Sequence, residues 1–111
     1  MAEQKLVDLD EIEDGNAKAM VGRVDGKQRN IFVVRKGETV YAYLNWCPHA
    51  QDFIDQVPGI FFNRDRTLIR CGKHGALFNI EDGACVGGPA EGQKLVSLKA
   101  FVRDGAVYLE A

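Results

Sequence analysis

Short runs of β-branched and aromatic residues recur along the chain, each closed by a glycine turn. Residues 30–35 (NIFVVR) and 39–44 (TVYAYL) read as two strands joined by a tight turn at Lys36-Gly37. Residues 95–99 and 101–103 alternate imperfectly, and Asp104-Gly105 then turns the chain into residues 106–110. Aspartate followed by glycine suits such hairpins, because glycine accepts the positive φ that the turn imposes, and Asp25-Gly26 has the same form. Residues 5–9 and 19–24 are further expected strands, and 67–70 is the alternating stretch in the middle of the chain. No window sustains a helical period, so any helix is short, with single turns expected near 9–14 or 51–56. The pattern predicts an all-β sandwich or small barrel.

From residue 46 to about 92 the texture changes: glycine, proline, cysteine and histidine concentrate and alternation fades. This stretch reads as an excursion inserted into a β framework that both flanks complete. A length of 111 residues suits one domain, and 46% hydrophobic with 27% charged residues is ordinary for a globular one. Fourteen Lys and Arg against sixteen Asp and Glu leave a net charge of -2, which disfavours coating of nucleic acid. No apolar run approaches the ~20 residues that cross a bilayer. The first five residues, MAEQK, hold neither a basic nor an apolar leader region, so no export signal, no membrane and a cytoplasmic location are expected. Phosphate-binding glycine patterns are missing too, since Gly72-Lys73 is followed by His74 rather than Ser or Thr.

Two short segments carry the candidate chemistry: Cys47-Pro48-His49 and Cys71-Gly72-Lys73-His74-Gly75. They hold both histidines of the chain and two of its three cysteines, an odd count that speaks against a disulfide framework. Thiolate and imidazole together suit zinc, iron or copper. Zinc knuckles typically space their cysteines by two to four residues. Cys-x-His is cramped on a single ion but natural if its two donors grip adjacent metal atoms. A mononuclear zinc site, or buried thiols beside core histidines, are the alternatives. Cys85 lies outside both segments and reads as a small buried hydrophobe.

With the third loop, Gly87-Gly88-Pro89-Ala90, the paired segments resemble the Rieske iron–sulfur motif. The resemblance covers nearly the whole chain. It implies an antiparallel β-sandwich whose base subdomain takes residues 1–45 and 92–111, with a smaller cluster-binding subdomain, residues 46–91, inserted between base strands. It implies one [2Fe-2S] cluster per chain, Cys47 and Cys71 on one iron, His49 and His74 on the other, and the Pro89 loop as cover. The implied role is that of a low-potential bacterial ferredoxin: a monomeric one-electron carrier, without catalysis of its own, between a reductase and an oxygenase or similar terminal enzyme. A Rieske-like small subunit of a larger reductase, such as nitrite reductase, and a zinc-stabilised interaction module are the other readings.

The 21 residues between His49 and Cys71 exceed the usual gap of small Rieske ferredoxins, and the excess is assigned to residues 51–65. There, Phe53, Ile54, Ile60, Phe61 and Phe62 are expected to pack onto the base, with a docking patch as the alternative. Trp46 is expected beside or beneath the first loop, or in the strand core. Residues 1–14 net -5, whereas Arg64, Asp65, Arg66, Arg70 and Lys73 net +3, either a solvated mixed surface or cations that steer an acidic partner.

High-potential members of the family carry an extra cysteine in each ligand loop, where this chain has Asp52 and Lys73. They also place a serine after the His-Gly and a tyrosine two residues on, where this chain has Ala76 and Phe78. Hydroxyl donors to sulfur stabilise the reduced state, so their absence lowers the potential. The expected potential lies near the low end of the Rieske range of about -150 to +300 mV. It should fall as pH rises through the histidines' oxidised-state pKa values, because electron uptake is then coupled to proton uptake. Voltammetry across pH checks both; a high value, or one flat into strong alkali, contradicts the assignment.

Overall fold

The predicted strands form, and the computed structural model adds two more; it describes residues 3–47, 52–56, 59–72, 75–88 and 92–110. The strands are β1 (Glu3–Asp8), β2 (Ala17–Val24), β3 (Lys27–Lys36), β4 (Thr39–Leu44), β5 (Leu68–Arg70), β6 (Leu77–Asn79), β7 (Cys85–Gly87), β8 (Ser97–Arg103) and β9 (Ala106–Glu110). Asp25-Gly26 and Asp104-Gly105 take positive φ at both residues, the geometry that carries a two-residue hairpin.

Three details differ from the sequence pattern. The runs at 95–99 and 101–103 merge into one strand, Ser97–Arg103, which starts late because the Leu95 N–H donates to the Gly83 carbonyl instead of to the sheet. The short strands β6 and β7 lie where alternation had faded. Of the two expected helical turns, Leu9–Glu11 is a 3-10 turn. The described part of the other, residues 52–56, is not helical. There the Asp52 carbonyl accepts from the Cys47 N–H and the Ile54 N–H donates to the Asn45 side chain, so groups a helix would use are already engaged. Among the described residues no helix is long and apolar enough to cross a membrane.

Six strands make one antiparallel sheet in the order β1-β9-β8-β4-β3-β2, and β5-β6-β7 make a smaller one. The large sheet curls until its two edges meet. There the Gln4 carboxamide of β1 stands in for a peptide group: its Nε2 donates to the Arg23 carbonyl of β2 (2.6 Å) and its Oε1 accepts from the Arg23 N–H (3.0 Å). Outside the curl, the Arg103 guanidinium lies over Phe101 and Tyr108 and pairs with Glu3, tying β8 and β9 to β1.

Two cores share one hairpin. Ile31, Phe32, Val33 and Val34 of β3 are all buried, and successive side chains of a strand point to opposite faces. Ile31 and Val33 therefore join Val7, Ile12, Val107 and Leu109 inside the curled sheet. Phe32 and Val34 join Tyr43, Phe61, Ile69 and Phe78 in the second core, which the small sheet closes. Phe61 stacks on Phe32 with ring centroids 4.6 Å apart. Ile31→Ala should cost about 2–5 kcal/mol and Phe32→Ala about 3–5 kcal/mol in denaturant unfolding. Only Phe32→Ala should also lower the iron retained on purification, since only its face meets the core that holds Cys47 and Cys71; equal iron loss in both variants would contradict the two-core description.

Candidate metal centre

Cys47 lies three residues past the end of β4 and Cys71 directly after β5, so each sheet delivers one cysteine. The loops that follow share a plan. The Cys47 N–H donates to the Asp52 carbonyl (2.8 Å) and the Cys71 N–H donates to the Ala76 carbonyl (2.9 Å), each closing a six-residue segment that starts with the cysteine. The Gly75 N–H tightens the second loop through the Cys71 carbonyl (2.9 Å). His49 and His74 belong to these segments, but both lie outside the described residues, as do Pro48, Lys73, Pro89 and Ala90.

One buried side chain links the two loops. Asn45, only 5% exposed, accepts at Oδ1 from the Ile54 N–H (2.9 Å) and donates from Nδ2 to Asp55 Oδ1 (2.8 Å). The Ile54 carbonyl in turn accepts from the Gly72 N–H (3.0 Å), beside Cys71. The other oxygen of Asp55 accepts from the Gly59 N–H (3.1 Å). A chain of hydrogen bonds thus runs from two residues before Cys47 to the residue after Cys71. The one signal of Asn45 in the sequence is a carboxamide just past a strand end, two residues before a candidate ligand.

Glycine lets the segments approach. A Cβ at Gly72 would lie 3.0 Å from the Gln56 Cβ, and one at Gly88 would lie 2.9 Å from the Ala76 Cα. Gly88 also has φ +84, so the third loop meets the second at a backbone contact that only glycine fits.

Cys47 and Cys71 are fully buried, form no disulfide, and share a single core cluster with Ile54, Ala76 and Phe78. Two sulfur donors held together in one dry core are the kind of ligand that iron in a sulfide-bridged cluster takes. The described half of the donor set therefore fits an iron–sulfur group. Among the described residues no three metal-binding side chains cluster. Ala76 and Phe78 are themselves fully buried beside the thiols and bring no hydroxyl. The Tyr43 hydroxyl in the same core donates to the Ile80 carbonyl, and burial, the largest effect, raises its pKa so that it stays protonated.

The remaining expectations divide. Cys85 is half-buried against this core, its Sγ donating to the Gly87 carbonyl (3.2 Å). In the 51–65 stretch Ile54 and Phe61 are buried and Phe62 half-buried, while Phe53 and Ile60 are exposed. Trp46, expected to pack, is 47% exposed, because Asn45 takes the inward position before Cys47. Of the cations in the second charge group, Arg70 covers Gly75, whereas Arg64 and Arg66 line a cleft with Asn16 and Ile60 beyond the opposite end of β5.

The sequence model of the Rieske [2Fe-2S] domain matches residues 3–102. Among solved structures, the ferredoxin of carbazole 1,9a-dioxygenase from Nocardioides aromaticivorans IC177 is similar with a TM-score of 0.77 at 25% identity, over 98% of this chain and 97% of that one. A chain from the complex of reduced oxygenase and oxidized ferredoxin in carbazole 1,9a-dioxygenase aligns with a TM-score of 0.76 at 24% identity, over 96% and 91%. A protein assigned as the small subunit of an NADPH nitrite reductase aligns with a TM-score of 0.72 at 18% identity, over the full length of both. No curated protein matches the chain in sequence.

Asn45→Ala should cost about 1–3 kcal/mol, the penalty for leaving the Ile54 N–H and Asp55 without their buried partner. It should also speed loss of iron to a chelator, read by visible absorbance. Unchanged chelation alongside reduced stability would limit Asn45 to a packing role.

Proposed function

Because the chain belongs to the Rieske [2Fe-2S] domain family, we propose that it is a one-electron carrier that passes electrons from a reductase to an oxygenase or similar terminal enzyme. The carrying observation is the pair of buried thiols, Cys47 and Cys71, each at the head of a loop closed by the same backbone hydrogen bond. A bound [2Fe-2S] cluster supplies one reversible electron. We assign Cys47 and Cys71 as the ligands of one iron and His49 and His74 as those of the other. The chain's own part is to position and insulate. The Asn45–Ile54–Gly72 bonds hold the two cysteine loops in register, and Ile54, Ala76 and Phe78 keep water from the sulfurs. Residues 46–91 are assigned to cluster binding, and residues 1–45 and 92–111 to the base that carries it.

The oxygenase direction draws on the carbazole dioxygenase ferredoxins, one of which is recorded in complex with its oxygenase. A second reading, a subunit held within a larger reductase, draws on the full-length match to the nitrite reductase small subunit. Among the described residues no side chain at this site suggests turnover of a substrate by the chain alone, and a cytoplasmic location fits the role.

Anaerobic purification followed by iron and acid-labile sulfide assays should give two of each per chain, with an EPR signal appearing after dithionite. Cys71→Ser should abolish both. One zinc ion with no sulfide would support the interaction module instead, and a large co-purifying subunit would support the reductase reading.

A further inference from the structure

The exposed aromatic residues next to Cys47 line a groove of about 460 Å³ that the carrier reading leaves unused. Trp46 is 47% exposed and Phe53 is 43% exposed, and they form its walls with Leu44, Gln28, Arg29 and Asn30. Both aromatics stand on firm backbone. The Trp46 N–H donates to the Leu44 carbonyl (2.8 Å), the Phe53 N–H to the Asp52 carboxylate (2.8 Å), and the Gln56 carboxamide donates to the Phe53 carbonyl (2.8 Å). They also bracket the first cysteine loop: Trp46 adjoins Cys47, and Phe53 follows the residue whose carbonyl closes that loop. Large aromatics held in place beside a concave surface are the usual anchors of a protein interface.

Charge identifies what fits there. Arg29 is the one charged residue lining the groove. Lys5, Lys18, Lys36 and Arg103 each have a carboxylate partner. Among the described residues, Arg29 and its neighbours on the β2–β3 hairpin, Arg23 and Lys27, have none, and all three are exposed. Asp25, at the turn, is the only acid of that hairpin. An unpaired Arg29 on the wall of an apolar groove, with Lys27 further along the same strand, is complementary to an apolar side chain flanked by carboxylates.

We propose that this groove docks the redox protein with which the chain exchanges electrons, and that the partner presents an apolar side chain flanked by acidic residues. The proposal rests on the electron-carrier reading. It places the partner beside the first cysteine loop, which the aromatic walls adjoin directly.

The test uses the cluster-loaded full chain, reduced with dithionite and freed of excess reductant. It is mixed in stopped flow with two oxidised probes, plastocyanin as an acidic copper protein and cytochrome c as a basic haem protein. Rates are compared at about 10 mM salt, where the local attraction through Arg29 acts, and at about 0.5 M salt, where it is screened. Arg29→Glu should slow plastocyanin reduction about fivefold at low salt and little at high salt, while cytochrome c reduction is unchanged or faster. Trp46→Ser with Phe53→Ser should slow plastocyanin reduction at both salt concentrations, and the reduction potential should stay at the wild-type value in every variant. Plastocyanin rates that ignore all these substitutions would overturn the proposal. So would sedimentation showing a dimer that Arg29→Glu disperses, because the groove would then belong to a second copy of the chain. If the protein takes up no electron from dithionite, it is the carrier reading that fails, and that result is distinct from either.

Discussion

The fold depends on a hairpin that is buried on both faces. A strand whose residues alternate between two cores cannot slip by one residue without exchanging every side chain between them. β3 carries that constraint over Ile31–Val34, and its partner β4 repeats it with Val40 and Ala42 on one side and Tyr43 on the other. The curled sheet thus becomes the floor on which the small sheet sits. Phe32, stacked on Phe61, carries the contact from floor to excursion. Because Cys47 follows the end of β4 by only three residues, the register of the hairpin also places the first candidate ligand.

What the two cysteine loops add is rigidity by backbone rather than by side-chain bulk. Each is closed across six residues by a bond from its cysteine N–H, and the Ile54 peptide bridges them, its N–H to Asn45 and its carbonyl accepting from Gly72. Gly88 then allows backbone to lie against the Ala76 backbone where a Cβ would force the loops apart, and Gly72 packs tightly on the Gln56 side chain. Such an arrangement presents sulfur in a dry site. Thiols must give up their protons to ligate iron. Loading is therefore coupled to proton release and to completion of the fold around the loops.

The framework was legible because its signals are local. Thr39–Leu44 and Ala106–Glu110 carry enough β-branched and aromatic residues to declare themselves, and the Asp-Gly pairs mark the turns between strands. β6 and β7 are three residues each, too short for a period to emerge, and both owe their pairing to the core beneath them. The expected helical turn at 51–56 failed for a related reason, since the groups that prevent it come from Asn45 and Cys47, outside the window. The proposed donor set rests on residue type and spacing, and of its members Cys47 and Cys71 are described, buried in one core cluster. Asn45 could not be read in this way: its importance comes from partners ten and fewer residues away that only the folded loop brings within reach.

The same excursion has to face two ways, and its sequence does so residue by residue. Phe53 is out and Ile54 in; Ile60 is out and Phe61 in; Trp46 is out where Asn45 is in. A loop built only to insulate would bury its aromatics, and one built only to bind would be free to move. Here the inward members, Ile54 and Phe61, fix the segment on the second core, and the outward members are displayed from backbone that those anchors hold still. Burying a large apolar side chain contributes about 1.5–3 kcal/mol, ample to hold its chain neighbour in the solvent. Placing a polar Asn45 at the inward position before Cys47 turns Trp46 outward, so the residue that positions the loops also determines what the surface beside them presents.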